Sequence, residues 1–396
     1  MPGFELFGAE ERKEVNDVLE TGIFMRYGFD GPRKGIWKAK ELEQAISSKL
    51  NVPYTQLTSS GTTALTTALA ALGVGAGDEV IMPTFTFVAS FESIFSVGAT
   101  PVLVDVDDTL TLDPRAVEAA ITPRTKVIMP VHMCGAMADL DALKAICEKN
   151  NLILLEDAAQ SFGASYKGKA LGSIGHAGIF SFDFVKTVTC AEGGAVVTSD
   201  KDLYLKCDAY SDHGHDHLGV DRGADLHPFM GQNFRISELH AAVGLAQVRK
   251  LDKFLAIQRS TKKIFKDALA SIPEVSFRRL PDEAGDSATF LGFFLPEENQ
   301  ARAAAAAMKA AGLAAFYWFD NNWHYIRNWE HFKQSATLNH FAPGLQQALE
   351  LYKIKQFPVS DAIISRCICT PINLGWSESE IKERADKLVK AVKSAL

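Results

Sequence analysis

Asp157 and Lys186 are the two residues whose types and surroundings could do chemistry together. Asp157 closes an apolar run, Leu152-Ile153-Leu154-Leu155, after Glu156. A carboxylate leaving a buried strand is costly unless a cation meets it. Lys186 lies between two further apolar runs, beside Phe182, Phe184 and Val185. An amine in such company is desolvated, so its pKa moves down toward a nucleophilic form. A lysine able to condense with an aldehyde, and an acid able to keep a pyridinium nitrogen protonated, point to a site for pyridoxal 5'-phosphate (PLP), whose ring acts as an electron sink.

Other residues fit the same chemistry, and each has a plain structural alternative. Ser60-Gly61-Thr62 falls between a short apolar run and a helical pattern. Free backbone N–H groups and the helix dipole at such a turn bind phosphate, although Ser and Thr also simply cap helices. Ser181 could add a hydroxyl to that phosphate, or bond within its own sheet. Phe87 follows Pro83 and could stack on a flat ring, or belong to the core. Gln160, three residues past Asp157, could reach a phenolic oxygen. Gly73-Val74-Gly75-Ala76-Gly77 looks like a dinucleotide loop, but it lacks the third glycine at the required spacing and follows a helix. His213, His215 and His217 alternate in one segment, yet no HExxH or cysteine partner accompanies them. A structural or substrate-lining loop is expected there, and no metal. The loop at 22–28 holds Arg26 and Tyr27 and is either pocket lining or a surface connection. Trp318, Trp323, His324 and Trp329 could form a wall against a sugar, or pack between domains.

These residues need elements to hold them. From Tyr54 onward, short apolar runs alternate with helical patterns, ending with the run at Leu152. That is βα repetition, which predicts a mostly parallel sheet covered by helices on both faces. In such sheets the site lies at the carboxyl ends of the strands. Ser60-Gly61-Thr62, Phe87, His132 and Asp157 all follow predicted strand ends. Helices are predicted near 9–21 and 38–50, with a long helical pattern from Ile236 towards Ala270 that kinks between domains. The expected units are a large PLP-binding domain over 1–255 and a small C-terminal α+β domain over 256–396. The latter would hold strands at Val275–Arg278, Thr289–Leu295 and Ala314–Trp318, and a last helix with a capping box from Ser377 to Glu380.

Bulk properties set limits. The 396 residues carry 41 Lys and Arg against 48 Asp and Glu, a net charge of −7. That disfavours nucleic acid as a partner. Six scattered cysteines without a CxxC pair suggest reduced thiols. The opening Met-Pro-Gly-Phe-Glu lacks the basic and apolar regions of a signal peptide, and no run of 18 apolar residues occurs. A cytoplasmic protein without a membrane partner is expected.

Six motifs occur together in order. They are S-S-G-T at 59–62, P-T-F-T-F-V-A-S at 83–90, E-D-A-A-Q at 156–160, F-S-F-x-x-x-K at 180–186, E-G-G at 192–194 and N-F-R at 233–235. The chain resembles, over nearly its whole length, the DegT/StrS-type family of PLP-dependent sugar aminotransferases. The resemblance implies an aspartate-aminotransferase-like α/β fold (PLP fold type I). It implies that Lys186 forms the Schiff base, Asp157 meets the pyridine nitrogen, Phe87 stacks on the ring and Gln160 approaches its hydroxyl oxygen. Ser60, Gly61, Thr62 and Ser181 would anchor the phosphate. Asn233 would reach the cofactor of a neighbouring subunit, which implies a homodimer with shared sites. Glutamate would be the amino donor and a keto-sugar the acceptor. The stretch S-D-H-G-H-D-H at 211–217 and the loop on to 228 depart from the common pattern. Together with F-Y-W-F-D-N-N-W-H at 316–324, they are similar to members that aminate a free eight-carbon keto-sugar acid for lipopolysaccharide. Arg26, Tyr27, His213, His215, Arg222, Arg235, Trp323 and His324 are then candidate substrate contacts. The alternatives are a nucleotide-linked keto-sugar, a sugar dehydratase of the same fold, which would carry His in place of Lys186, and a non-catalytic relative.

Overall fold

The computed structural model describes residues 3–219, 221–338 and 343–396. Val220, inside the expected loop 211–228, lies outside the described residues. The central sheet has seven strands: β1 (Tyr54–Thr58), β2 (Glu79–Pro83), β3 (Thr100–Val104), β4 (Thr125–Ile128), β5 (Ile153–Asp157), β8 (Ala177–Ser181) and β9 (Gly194–Thr198). A small hairpin of β6 (Ser165–Tyr166) and β7 (Lys169–Ala170) sits between β5 and β8. The strand order is β1-β9-β8-β5-β4-β2-β3.

The sheet is parallel except for β9, which runs antiparallel to β1 and β8. Parallel neighbours need a long crossover, whereas a direct return gives an antiparallel pair. Residues 182–193, which link β8 to β9, hold no helix, so the chain comes straight back. Side chains alternate across the pleat. Leu57, Phe180, Ala195 and Val197 of β1, β8 and β9 enter one core, and the middle strands feed two more. Val80, Met82 and Leu155 enter one, with the helix Gly61–Ala71 and the C-terminal part; Ile81, Ile128 and Leu154 enter the other, with the helix Leu140–Asn150.

A second sheet, β10 (Ser276–Phe277), β11 (Phe290–Phe294) and β12 (Cys367–Pro371), is antiparallel. The helical pattern after Ile236 forms two helices, Glu238–Arg249 and Leu251–Leu269, meeting at Lys250. The proposed division at 255/256 falls inside the second of these. The strand expected over Ala314–Trp318 is not formed. Phe316 makes one two-bond bridge to Cys369, and the chain then enters a 3-10 turn at Trp318–Asp320, which buries Trp318 and Phe319. Burial of these aromatics outweighs the edge hydrogen bonds that a longer strand would add. The strand β12 was not legible in sequence, because five residues of Cys-Ile-Cys-Thr-Pro are too short to show a period. The final helix, Glu378–Lys393, starts with the expected capping box from Ser377.

Candidate active site

Six of the seven strands of the large sheet run one way, so their carboxyl ends share one edge. Along that edge a cavity of about 240 Å³ is lined by Ser60, Gly61, Thr62, Phe87, Asp157, Gln160, Ser181, Lys186 and His324. Eight of these nine are the residues read as cofactor contacts or catalytic; His324 was read as a substrate contact.

Asp157 is the last residue of β5 and is buried. Ser90 donates its hydroxyl to Oδ2 at 2.7 Å, and the backbone N–H of Ala159 donates to Oδ1 at 3.1 Å. Burial raises the pKa of the carboxyl, against the opposing pull of those two bonds and of the Lys186 charge. No ion pair reaches it among the described residues, so a protonated ring nitrogen would supply the missing countercharge. Lys186 sits half-buried in the same lining, in a turn closed by its N–H to the Asp183 carbonyl at 3.0 Å. Burial lowers its pKa, while Asp183 and Asp157 oppose the shift. The flanking residues divide. Phe182 is fully buried. Phe184 is 52% exposed and stacks on Phe4, while Val185, also 52% exposed, lines the cavity beside Lys186.

The turn at 60–62 has a clear local cause. Ser60 caps the helix Gly61–Ala71, its hydroxyl accepting from the Thr63 N–H at 3.1 Å. The N–H groups of Gly61 and Thr62 have no carbonyl one turn earlier to meet, so they remain as donors. A Cβ on Gly61 would stand 2.7 Å from the Ser181 Cβ, so only glycine lets the turn and Ser181 converge. Gln160 accepts the Cys134 N–H on Oε1 at 2.9 Å, which leaves its amide to donate. Phe87 forms part of the wall, with Trp323 stacked on it at 5.7 Å and His324 tilted against it at 5.3 Å. The strap from 323 to 325 is stitched on by the Thr86 N–H to the His324 carbonyl and the Val88 N–H to the Trp323 carbonyl, both at 2.9 Å. Asn321 Oδ1 accepts the Trp323 N–H, so it is the carbonyl oxygen and His324 Nδ1 donates to it at 3.0 Å. Burial and the Lys186 charge push His324 down to about 3.

The residues fit PLP: a buried acid short of a cation, a shielded amine, a donor-rich helix start and a flat aromatic wall. Sequence reasoning missed Ser90, Asp183 and Glu192, which also line the cavity. The spacing of Thr86 and Ser90 was a usable signal. They are hydrogen-bonded at 2.7 Å, and Ser90 then holds Asp157.

The other candidates do not reach this cavity within one chain. Arg26 is buried against Glu43, at 2.5 Å, and Gln56. Tyr27 donates to Asp208 and stacks on His217 at 4.2 Å. Asp212 is the hub of the His-rich segment: Arg222 reaches it at 2.5 and 3.0 Å, His217 at 3.0 Å, and Arg235 also bonds it. His215 faces Asp225 at 3.3 Å and packs on His227. His213 is exposed at a positive φ of 58°. Asn233 is exposed and itself bridges Asp212, and its neighbour Phe234 accepts from the Ser59 N–H through its carbonyl. The tryptophans divide: Trp318 and Trp329 are core, whereas Trp323 is 57% exposed near the mouth. Among the described residues no group of three His, Cys, Asp or Glu could hold a metal ion, and no helix is long and apolar enough to cross a membrane. The six cysteines are buried free thiols.

The chain is similar in structure to an aminotransferase from Psychrobacter cryohalolentis, at TM-score 0.84 and 29% identity, covering 98% of this chain and 96% of that one. It is similar to 3-amino-5-hydroxybenzoic acid synthase at TM-score 0.80 and 32% identity, covering 98% and 97%. A protein of Streptococcus pneumoniae described as a sugar aminotransferase, in its PLP form, matches at TM-score 0.80 and 25% identity, covering 98% and 97%. PLP is the cofactor that this kinship and the cavity share. Residues 6–389 match one family across almost the full length, and the chain belongs to it: the DegT/DnrJ/EryC1/StrS aminotransferase family of PLP-dependent sugar aminotransferases.

Proposed function

We propose that this enzyme moves an amino group from glutamate to the carbonyl carbon of a free eight-carbon keto-sugar acid, 8-oxo-3-deoxy-manno-octulosonate, giving the 8-amino sugar used in lipopolysaccharide. The observation that carries the transamination is the meeting of Lys186 and Asp157 across one cavity. Bound PLP supplies an electron sink that makes the proton on the amino-bearing carbon removable. Asp157 keeps a proton on the ring nitrogen by its charge. Lys186 would hold the cofactor through its aldehyde, and its amine would carry a proton to and from the substrate's reacting carbon. Its lowered pKa suits that acid–base role. Ser60, Gly61, Thr62 and Ser181 take the phosphate, Gln160 donates toward the ring hydroxyl oxygen, and Phe87 with His324 keeps water from one wall. Two chains would share their sites, with Asn233 of each directed at the cofactor of the other.

The acceptor rests on the resemblance of segments 211–228 and 316–324. The nucleotide-linked alternative has its own support. Arg26 is paired with Glu43, Arg222 and Arg235 both bond Asp212, and Trp323 offers an exposed ring beside the mouth. Kinetics decides between them. The free sugar acid should give a kcat/KM at least about tenfold above nucleotide-linked keto-sugars, a difference of about 1.4 kcal/mol in transition-state binding; the reverse order refutes this acceptor. Borohydride reduction should fix PLP to the Lys186 peptide by mass, and Lys186→Ala should lose turnover by about 10³-fold or more.

A further inference from the structure

We infer that His132 and Glu156 form a buried positioning pair that sets the cofactor-facing carboxylate of Asp157. The inference rests on Asp157 meeting the cofactor ring.

Glu156 precedes Asp157 on β5, so it faces the other side of the sheet. It is completely buried, as is His132. Four donors converge on its carboxylate. The backbone N–H groups of Ile174 and Gly175 reach Oε1 at 2.7 Å each, and that of Gly172 reaches Oε2 at 2.8 Å. His132 Nε2 reaches Oε2 at 3.1 Å. The imidazole has one available arrangement. Its Nδ1 accepts the Ala138 N–H at 3.2 Å, so Nε2 carries the proton and donates to Glu156.

The pair closes a short circuit onto Asp157. The His132 N–H donates to the Asp157 carbonyl at 3.0 Å, and the Asp157 N–H donates to the Pro130 carbonyl at 2.9 Å. Val131, between them, lines the cavity and bridges Asp157. Past the end of β4, these bonds are what hold residues 130–132 beside β5. The ring of His132 is therefore anchored on one face of the sheet while its backbone fixes the strand end whose side chain serves the other face. The glycines of 172–178 make the anchor possible. A Cβ on Gly175 would lie 2.5 Å from the Leu154 carbonyl, and one on Gly178 would lie 2.1 Å from the Gly172 carbonyl. Larger residues would push the three N–H groups off Glu156.

The test compares His132→Phe with His132→Gln. Phe fills the space without polar atoms, whereas Gln can still donate to Glu156. The readouts are PLP affinity by equilibrium dialysis, and the pH at which the absorption of the bound cofactor changes. His132→Phe should weaken PLP binding by about tenfold and move that pH, as removal of a partner that orients a metal ligand does in metal sites; His132→Gln should restore both towards wild type. A folded His132→Phe protein with wild-type affinity and an unmoved absorption change overturns the inference. If His132→Phe does not fold, His132→Gln with the donor kept must still bind PLP within about threefold of wild type, and a larger loss overturns it equally. Asp157→Asn provides the separate control. If that variant binds PLP and titrates like wild type, the reading of Asp157 itself fails; if it is impaired while His132→Phe is not, only the positioning pair fails.

Discussion

At the residue scale the chemistry follows from where charge is left uncompensated. Among the described residues Asp157 has hydrogen bonds but no ion pair, and Lys186 has lost water without gaining a close carboxylate; both line one cavity. The contrast is the Asp212 network, where Arg222, Arg235 and His217 all bond one carboxylate. His217 lies between Asp208, at 2.7 Å, and Asp212, at 3.0 Å. Burial opposes its charging, but these two carboxylates outweigh it and push its pKa up to about 9. A folded-state value above the unfolded one means stability that is whole below about pH 6.5 and is lost as pH rises through about 9. The melting temperature of wild type should therefore exceed that of His217→Gln by about 2–4 °C at pH 6, with the gap closing by pH 10. A gap independent of pH would show that the histidine contributes packing and not charge. Lys186 and Asp157 stood out in sequence because burial and charge together are rare, and the fold brings both to one cavity. The arginines were legible as cations, but nothing in sequence told that Asp212 and Glu43 would take them.

At the element scale, close approach decides what the strands can hold. The carboxyl ends of β1, β2, β5 and β8 bring their loops to one edge, as the βα rhythm predicted. Their spacing depends on glycines that the rhythm does not explain. Gly178 on β8 packs on the backbone of Gly172, and no side-chain movement could relieve a Cβ placed 2.1 Å from its carbonyl. Gly178→Ala should cost about 3 kcal/mol in denaturant unfolding, at the upper end for overpacking. A cost below about 1 kcal/mol would mean that the loop at 172–175 yields easily, and would weaken the anchor on Glu156. The reversed strand β9 and the short β12 were not readable locally. Direction depends on the connection that follows, and pairing depends on a neighbour far away in sequence.

At the scale of the whole molecule, the apolar surface is unevenly spread. Leu218, Leu226 and Met230 are 83%, 71% and 93% exposed on the loop that follows the His-rich segment. Exposed apolar side chains grouped on one loop mark an interaction surface, and a second copy of this chain is the occupant that the proposed shared sites require. Sedimentation should find a dimer for wild type, and Met230→Glu should move it toward monomer with weakened PLP binding; an unchanged mass would place the contact elsewhere. What the amino-acid order determined by itself was the layered α/β fold, the cofactor, and a lysine and an acid that the fold brings to one cavity, because periodicity and buried charge are local properties. Tertiary structure decided which cations remain free, which tryptophans reach the mouth and how Asp157 is held from behind. Those outcomes rest on partners distant along the chain, whose distance and orientation no local pattern encodes.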